Sequence, residues 1–99
     1  MSIEKQRYVW MNGEFVEWDR ANVPIMTHAL NYGTAVFEGI RAYNTKGGLS
    51  VFRLKEHMHR LETSAHAYMI DLPYSESDLC RFTTDLLAKN EIRDSAYIR

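Results

Sequence analysis

The sequence is short of cysteine, of long apolar runs and of excess charge, and each shortage closes off a class of protein. Cys80 is the single cysteine, so no internal disulfide can form, which points to a reducing compartment. No apolar run approaches the ~18–20 residues of a membrane span, and the polar start from Met1 to Arg7 lacks the apolar segment of a signal peptide. Twelve Lys and Arg oppose thirteen Asp and Glu, for a net charge of −1 and a pI near 6.4. That balance offers nothing to draw the chain to nucleic acid or to an anionic membrane. Linkers, repeats and low-complexity segments are missing as well. What is present is ordinary globular material: 45% hydrophobic, 12% aromatic and 25% charged residues. Ninety-nine residues make one domain with a modest core. The expectation is a soluble, weakly acidic, cytoplasmic domain.

Asn12-Gly13 lies between the aromatic and β-branched runs Tyr8–Met11 and Glu14–Trp18. Asn-Gly accepts positive φ at both central positions of a two-residue turn, so this stretch predicts a β-hairpin. Pro24 keeps Val23 extended; Thr27 is placed to cap a short turn through His28, Ala29 and Leu30, closed by Gly33. A second strand pair is expected at Ala35–Tyr43 and Leu49–Arg53, around a turn at Asn44–Gly48. Alternation puts Val36, Glu38, Ile40 and Ala42 on one face, and Phe37, Gly39, Arg41 and Tyr43 on the other. From Leu54 the period becomes helical, with Leu54, Met58, Leu61, Ala65 and Tyr68 in one stripe. Leu72-Pro73 ends that helix. Ser75 and Asp78 then form an imperfect capping box, with Tyr74 placed to staple against Leu79. Leu79, Phe82, Leu86 and Leu87 supply the buried face of this second helix, and Asn90 its C-cap. Ser95–Arg99 reads as the start of a strand with nothing to punctuate its end, so the chain is expected to be the front part of a longer protein. The class is α+β.

Most chemically suggestive residues have a plain explanation. His57 and His59, two apart on a helix, face different ways, and His59 and His66 are two turns apart. No zinc spacing occurs, so the histidines read as exposed or capping residues and no metal is expected. Cys80 lies on an amphipathic helix with no base beside it and reads as an inert packed thiol. Lys46-Gly47-Gly48 is a hairpin turn, not a phosphate loop. Two features resist dismissal. Arg60, at the edge of the apolar stripe, is a guanidinium suited to bidentate binding of a phosphate or carboxylate. The face Phe37-Gly39-Arg41-Tyr43 sets a glycine between an aromatic and an arginine, leaving a notch where a ligand could approach the backbone.

The run His28–Tyr43, containing Tyr32-Gly33 and Phe37-Glu38-Gly39-Ile40-Arg41, closely resembles branched-chain amino acid aminotransferases. So, in the same order, do Val9–Gly13, the helix Arg53–Ser64 with His57-Met58-His59-Arg60-Leu61, and Ala96-Tyr97-Ile98-Arg99. The resemblance implies the N-terminal small α/β domain of the D-amino-acid aminotransferase-like fold, spanning residues 1–99 and cut short. It implies pyridoxal phosphate as cofactor, with Arg60 gripping its phosphate. It places Tyr32, Phe37, Gly39, Arg41, Tyr97 and Arg99 around the substrate. Of these, Tyr32 would reach a neighbouring subunit's site in a homodimer or larger assembly, Tyr97 would bond the α-carboxylate, and Arg99 would receive the side-chain carboxylate of glutamate.

The reaction implied is amino transfer between Leu, Ile or Val and 2-oxoglutarate. The family's Schiff-base lysine lies in its large domain, and Lys5, Lys46, Lys55 and Lys89 do not match it. The chain alone is therefore expected to be inactive. The alternatives are a D-amino-acid aminotransferase or aminodeoxychorismate lyase of the same fold, or a non-catalytic anion-binding or dimerisation module. Gly39-Ile40-Arg41 together with Tyr97-Ile98-Arg99 favours the branched-chain enzyme.

Overall fold

The computed structural model describes residues 5–99, so the first four residues of the polar start lie outside the described residues. Strands β1 (Tyr8–Met11) and β2 (Glu14–Glu17) pair antiparallel in the register Met11↔Glu14 to Tyr8↔Glu17. Asn12 and Gly13 turn the hairpin with φ of 53° and 88°, the positive values that the dipeptide tolerates. A 3₁₀ turn at Trp18–Arg20 and the short helix α1 (His28–Tyr32) follow. Gly33 closes α1 at φ 67°, as its lack of a Cβ allows. The expected side-chain cap at Thr27 does not form. Its carbonyl accepts from the Leu30 amide instead, and the Asn31 side chain also donates to it at 3.0 Å.

The second sheet has the order β4–β3–β5, all antiparallel: β3 is Ile40–Thr45, β4 Gly48–Val51 and β5 Ala96–Ile98. The expected strand Ala35–Tyr43 thus starts later and ends later than its sequence pattern. Its inside–outside alternation does extend back through residues 35–39, but no strand among the described residues pairs with them. A strand needs a partner as well as a pattern. The predicted Leu49–Arg53 strand likewise stops at Val51, because Arg53 turns left-handed (φ 53°) to enter the next helix.

Helices α2 (Leu54–Ala67) and α3 (Glu76–Lys89) cover one side of this sheet. The capping box of α3 is complete: the Asp78 amide donates to Ser75 Oγ, and the Ser75 amide donates to Asp78 Oδ2, both at 3.1 Å. His59 on α2 meets Glu76 on α3 at 2.7 Å. Ile40 and Ala42 from β3, Met58 and Ala65 from α2, and Leu87 from α3 form the buried centre. Tyr68 falls just past the end of α2 and is exposed, so the apolar stripe closes at Ala65. The first hairpin docks on α3 through Trp10, which lies 5.4 Å from the Tyr74 ring and 5.0 Å from Phe82. Asn90 clips its other end: the Tyr8 amide donates to Asn90 Oδ1 at 2.8 Å, and Asn90 Nδ2 donates to the Tyr8 carbonyl at 3.0 Å. No helix among the described residues is long and apolar enough to cross a membrane.

Candidate functional site

The register Arg41↔Tyr97 decides which side chains meet on the outer face of the β3–β5 pair. Side chains alternate along each strand, so Phe37, Gly39 and Arg41 share that face with Tyr97 and Arg99. The Arg99 guanidinium carbon stands 4.7 Å from the Phe37 ring centre and 5.8 Å from that of Tyr97. Arg99 Nη2 donates to the Tyr97 hydroxyl at 3.3 Å, and the Arg41 guanidinium carbon lies 5.9 Å from the centre of the same ring. The Tyr97 ring reaches back over Gly39, where a Cβ would strike its hydroxyl. The notch expected at Gly39 is therefore filled by Tyr97 and not left open. Two cations and two aromatics on an exposed sheet face suit a ligand that is part carboxylate and part apolar.

The inner face holds a second group. Glu38 points inward beside Ile40, and its side chain is only 8% exposed. A buried carboxylate must be paired. Arg60 on α2 donates from Nε to Glu38 Oε2 at 2.8 Å and from Nη2 to Oε1 at 2.7 Å. His57, one turn earlier, places Nδ1 2.8 Å from the same Oε1. The carboxylate can only accept, so Nδ1 carries the hydrogen. The Arg60 hydrogen bonds hold the Glu38 carboxyl down to about 2; burial opposes them, and His57 and the guanidinium charge assist. Glu38 in turn raises the Arg60 pKa.

Two cavities adjoin these groups. One of about 250 Å³ is lined by Arg53, Glu56, His57 and Arg60, with Arg53 and Glu56 3.6 Å apart. The other, about 330 Å³ and largely apolar, is bordered by Val36, Ile40, Met58 and Ile98, and both Glu38 and Arg99 line it. It therefore runs between the inner and outer groups.

Of the residues singled out from the sequence, Phe37, Gly39, Arg41, Tyr97 and Arg99 come together. Arg60 sits apart from them with Glu38, and its side chain is 67% exposed, more open than the edge of an apolar stripe suggests. Tyr32 is exposed on α1, its ring tilted against that of His28 with centroids 4.6 Å apart. Glu38 and His57 were missed as site residues. The available signal was a lone carboxylate on an inward strand face, which demands a cation from elsewhere. His57 is neither exposed nor a cap, contrary to the histidine expectation. Burial raises the Cys80 thiol pKa, which suits an unreactive cysteine. Among the lysines, Lys5 pairs with Asp19, Lys89 lies over the Tyr8 ring, Lys46 is in the β3–β4 turn, and Lys55 is exposed on α2.

A model of the amino-transferase class IV family matches residues 35–99. The branched-chain-amino-acid aminotransferase of Escherichia coli K12 is 48% identical over 99 residues, covering all of this chain and 32% of that protein. The solved E. coli branched-chain amino acid aminotransferase superposes with a TM-score of 0.91 at 47% identity, over 94% of this chain and 30% of that one. The branched-chain aminotransferase of the thermophilic archaeon Thermoproteus uzoniensis, solved with norvaline, gives a TM-score of 0.89 at 38% identity, over 93% and 31%. The chain spans about a third of the length of the curated relatives it matches.

Proposed function

Because the chain belongs to the amino-transferase class IV family, we propose that it is the small-domain part of a pyridoxal-phosphate transaminase. The reaction is exchange of the amino group between branched-chain L-amino acids and 2-oxoglutarate. The observation that carries this reading is the outer-face cluster, in which Arg99 stands against both the Phe37 and Tyr97 rings and Arg41 lies against Tyr97. Such a face can take a carboxylate and an aliphatic side chain at once. Tyr97 serves the α-carboxylate common to all substrates. Arg99 serves the distal carboxylate of glutamate, and its methylene stem lines the wall when leucine is bound. Tyr32, exposed on α1, is free to complete the site of a second subunit in a homodimer or larger assembly.

The residues present fit the phosphate end of the cofactor. After its bonds to Glu38, Arg60 keeps its Nη1 hydrogens and one on Nη2 as donors, beside the cavity it shares with Arg53 and His57. Holding the phosphate fixes where the reactive end lies. Pyridoxal phosphate, when bound, supplies the electron sink for the carbon that bears the amino group. The lysine that carries it is assigned to the remaining two-thirds of the fold.

The test compares this chain with the complete protein. The complete protein is expected to consume L-leucine with 2-oxoglutarate, and borohydride is expected to trap the cofactor on one lysine beyond residue 99. The 99-residue chain is expected to do neither. Failure of the complete protein to use any branched-chain L-amino acid would overturn the reading; turnover of D-alanine instead would move the chain to a D-specific relative of the same fold.

A further inference from the structure

We propose that Glu38 is a positioning residue for the phosphate-binding arginine: it locks the plane and reach of the Arg60 guanidinium without touching the cofactor. This rests on the assignment of Arg60 to the phosphate given above.

Arg60 is a long side chain, 67% exposed, on the open side of α2. Left free, it would spread over many rotamers, and each binding event would bear the cost of ordering it. Glu38 removes that freedom. Its two oxygens take Nε–H and one Nη2–H in a planar, two-point contact at 2.8 and 2.7 Å, which fixes the guanidinium plane and leaves the Nη1 end as its outer edge. The clamp is itself anchored. Glu38 is 8% exposed, on the inner side of the extended run between Phe37 and Gly39, and Oε1 takes a third bond from His57 at 2.8 Å. A carboxylate so enclosed cannot follow the arginine if it moves. The same extended run carries Phe37 and Gly39 to the outer face, so one stretch of backbone sets both the phosphate donor and the substrate wall. The other charged groups lining the Arg60 cavity, Arg53 and Glu56, face each other at 3.6 Å and leave Arg60 its own partner.

Glu38 is also a negative charge near a site for phosphate, so clamp and competitor predict opposite signs. The experiment uses the complete enzyme stripped of cofactor, titrated separately with pyridoxal phosphate and with pyridoxal, which lacks the phosphate, and read by cofactor absorption. The expected result is that Glu38→Gln weakens pyridoxal phosphate on the order of tenfold, the size of a lost charge-assisted bond, and leaves pyridoxal unchanged. In an Arg60→Ala background the same substitution is expected to add little. Glu38→Asp, which keeps the charge but is one methylene too short to hold both ends of the two-point contact, is expected to show the same phosphate-specific loss, and it carries the test if Glu38→Gln does not fold. Tighter or unchanged binding of pyridoxal phosphate in Glu38→Gln overturns the proposal. Equal weakening of both ligands also overturns it, because a structural role makes no distinction between them. If Arg60→Ala leaves the preference for the phosphorylated ligand intact, the premise about Arg60 has failed, a result that Glu38→Gln alone cannot produce.

Discussion

Gly39→Ala separates the stability of the sheet from the placement of Tyr97. The added Cβ would collide with the Tyr97 hydroxyl and stand 3.1 Å from Cζ and 3.3 Å from Cε2. Gly39 does not have the positive φ that would strain an alanine backbone, and the nearest atoms the Cβ would meet all belong to the Tyr97 side chain. Tyr97 is 55% exposed and can swing toward solvent. To reach ordinary carbon contact, the ring carbons must retreat by about 0.5 Å and the hydroxyl by about 1 Å. That movement gives up the 3.3 Å bond from Arg99, which is long and exposed and contributes at most ~1 kcal/mol. Against it, replacing glycine with alanine narrows the unfolded ensemble by roughly 0.4–1 kcal/mol. The two effects nearly cancel, so the free energy of unfolding should change by less than about 1 kcal/mol.

Function should not be so tolerant. A displacement of about 1 Å in a group that positions substrate costs on the order of a hundredfold in rate. In the complete enzyme, kcat/KM for both leucine and glutamate should therefore fall steeply in Gly39→Ala while the melting temperature hardly moves. In a Tyr97→Ala background, Gly39→Ala should change little further, because the clash has gone. Unchanged kcat/KM would show that the Tyr97 hydroxyl has no role where it stands. A stability loss beyond about 2 kcal/mol would show that the backbone yields instead of the ring, and the reasoning would fail at its first step.

Arg99→Ala should lower kcat/KM for glutamate by on the order of ten- to a hundredfold and that for leucine much less; equal losses would make Arg99 structural. The Glu38 carboxyl, held at about 2 against an ordinary 4.5, contributes stability that is complete above 4.5 and lost as the pH falls toward 2. Glu38→Gln should therefore flatten the dependence of unfolding on pH within that window, and an unchanged slope would refute the pairing with Arg60. Asn90→Ala removes both bonds that clip Tyr8 to the end of α3 and should cost about 1–3 kcal/mol in denaturant unfolding; no loss would mean that the hairpin is held by the Trp10 and Tyr8 ring contacts without them. The 99-residue chain by itself should self-associate in sedimentation, since residues 35–39 carry a strand's alternation with no strand partner among the described residues and Phe37 is 65% exposed. A monomer with a sharp melt would contradict this.

What could be read from the sequence was local. Asn12-Gly13 and Ser75–Asp78 each encode their geometry within four residues, and both the hairpin and the capping box formed as expected. The alternation from Val36 to Tyr43 placed Glu38 inside and Arg41 outside, also correctly. The errors lay where a partner decides. Residues 35–39 have a strand's pattern but no strand beside them among the described residues, and Arg53 leaves β4 because α2 must begin there. The site falls between these cases. Strand alternation alone grouped Phe37, Gly39 and Arg41, but Tyr97 and Arg99 join them only through a register set more than fifty residues away in sequence. The Glu38–Arg60–His57 group spans 19 to 22 residues and two element types, so neither helical nor strand periodicity could connect its members. Yet half of that inference was available. A single carboxylate beside Ile40 on an inward face cannot remain unpaired, and Arg60 and His57 lie one turn apart on α2, the helix that follows β4 directly. Burial states that a cation must come to Glu38; packing then decides that the arginine assigned to the phosphate is the one that comes.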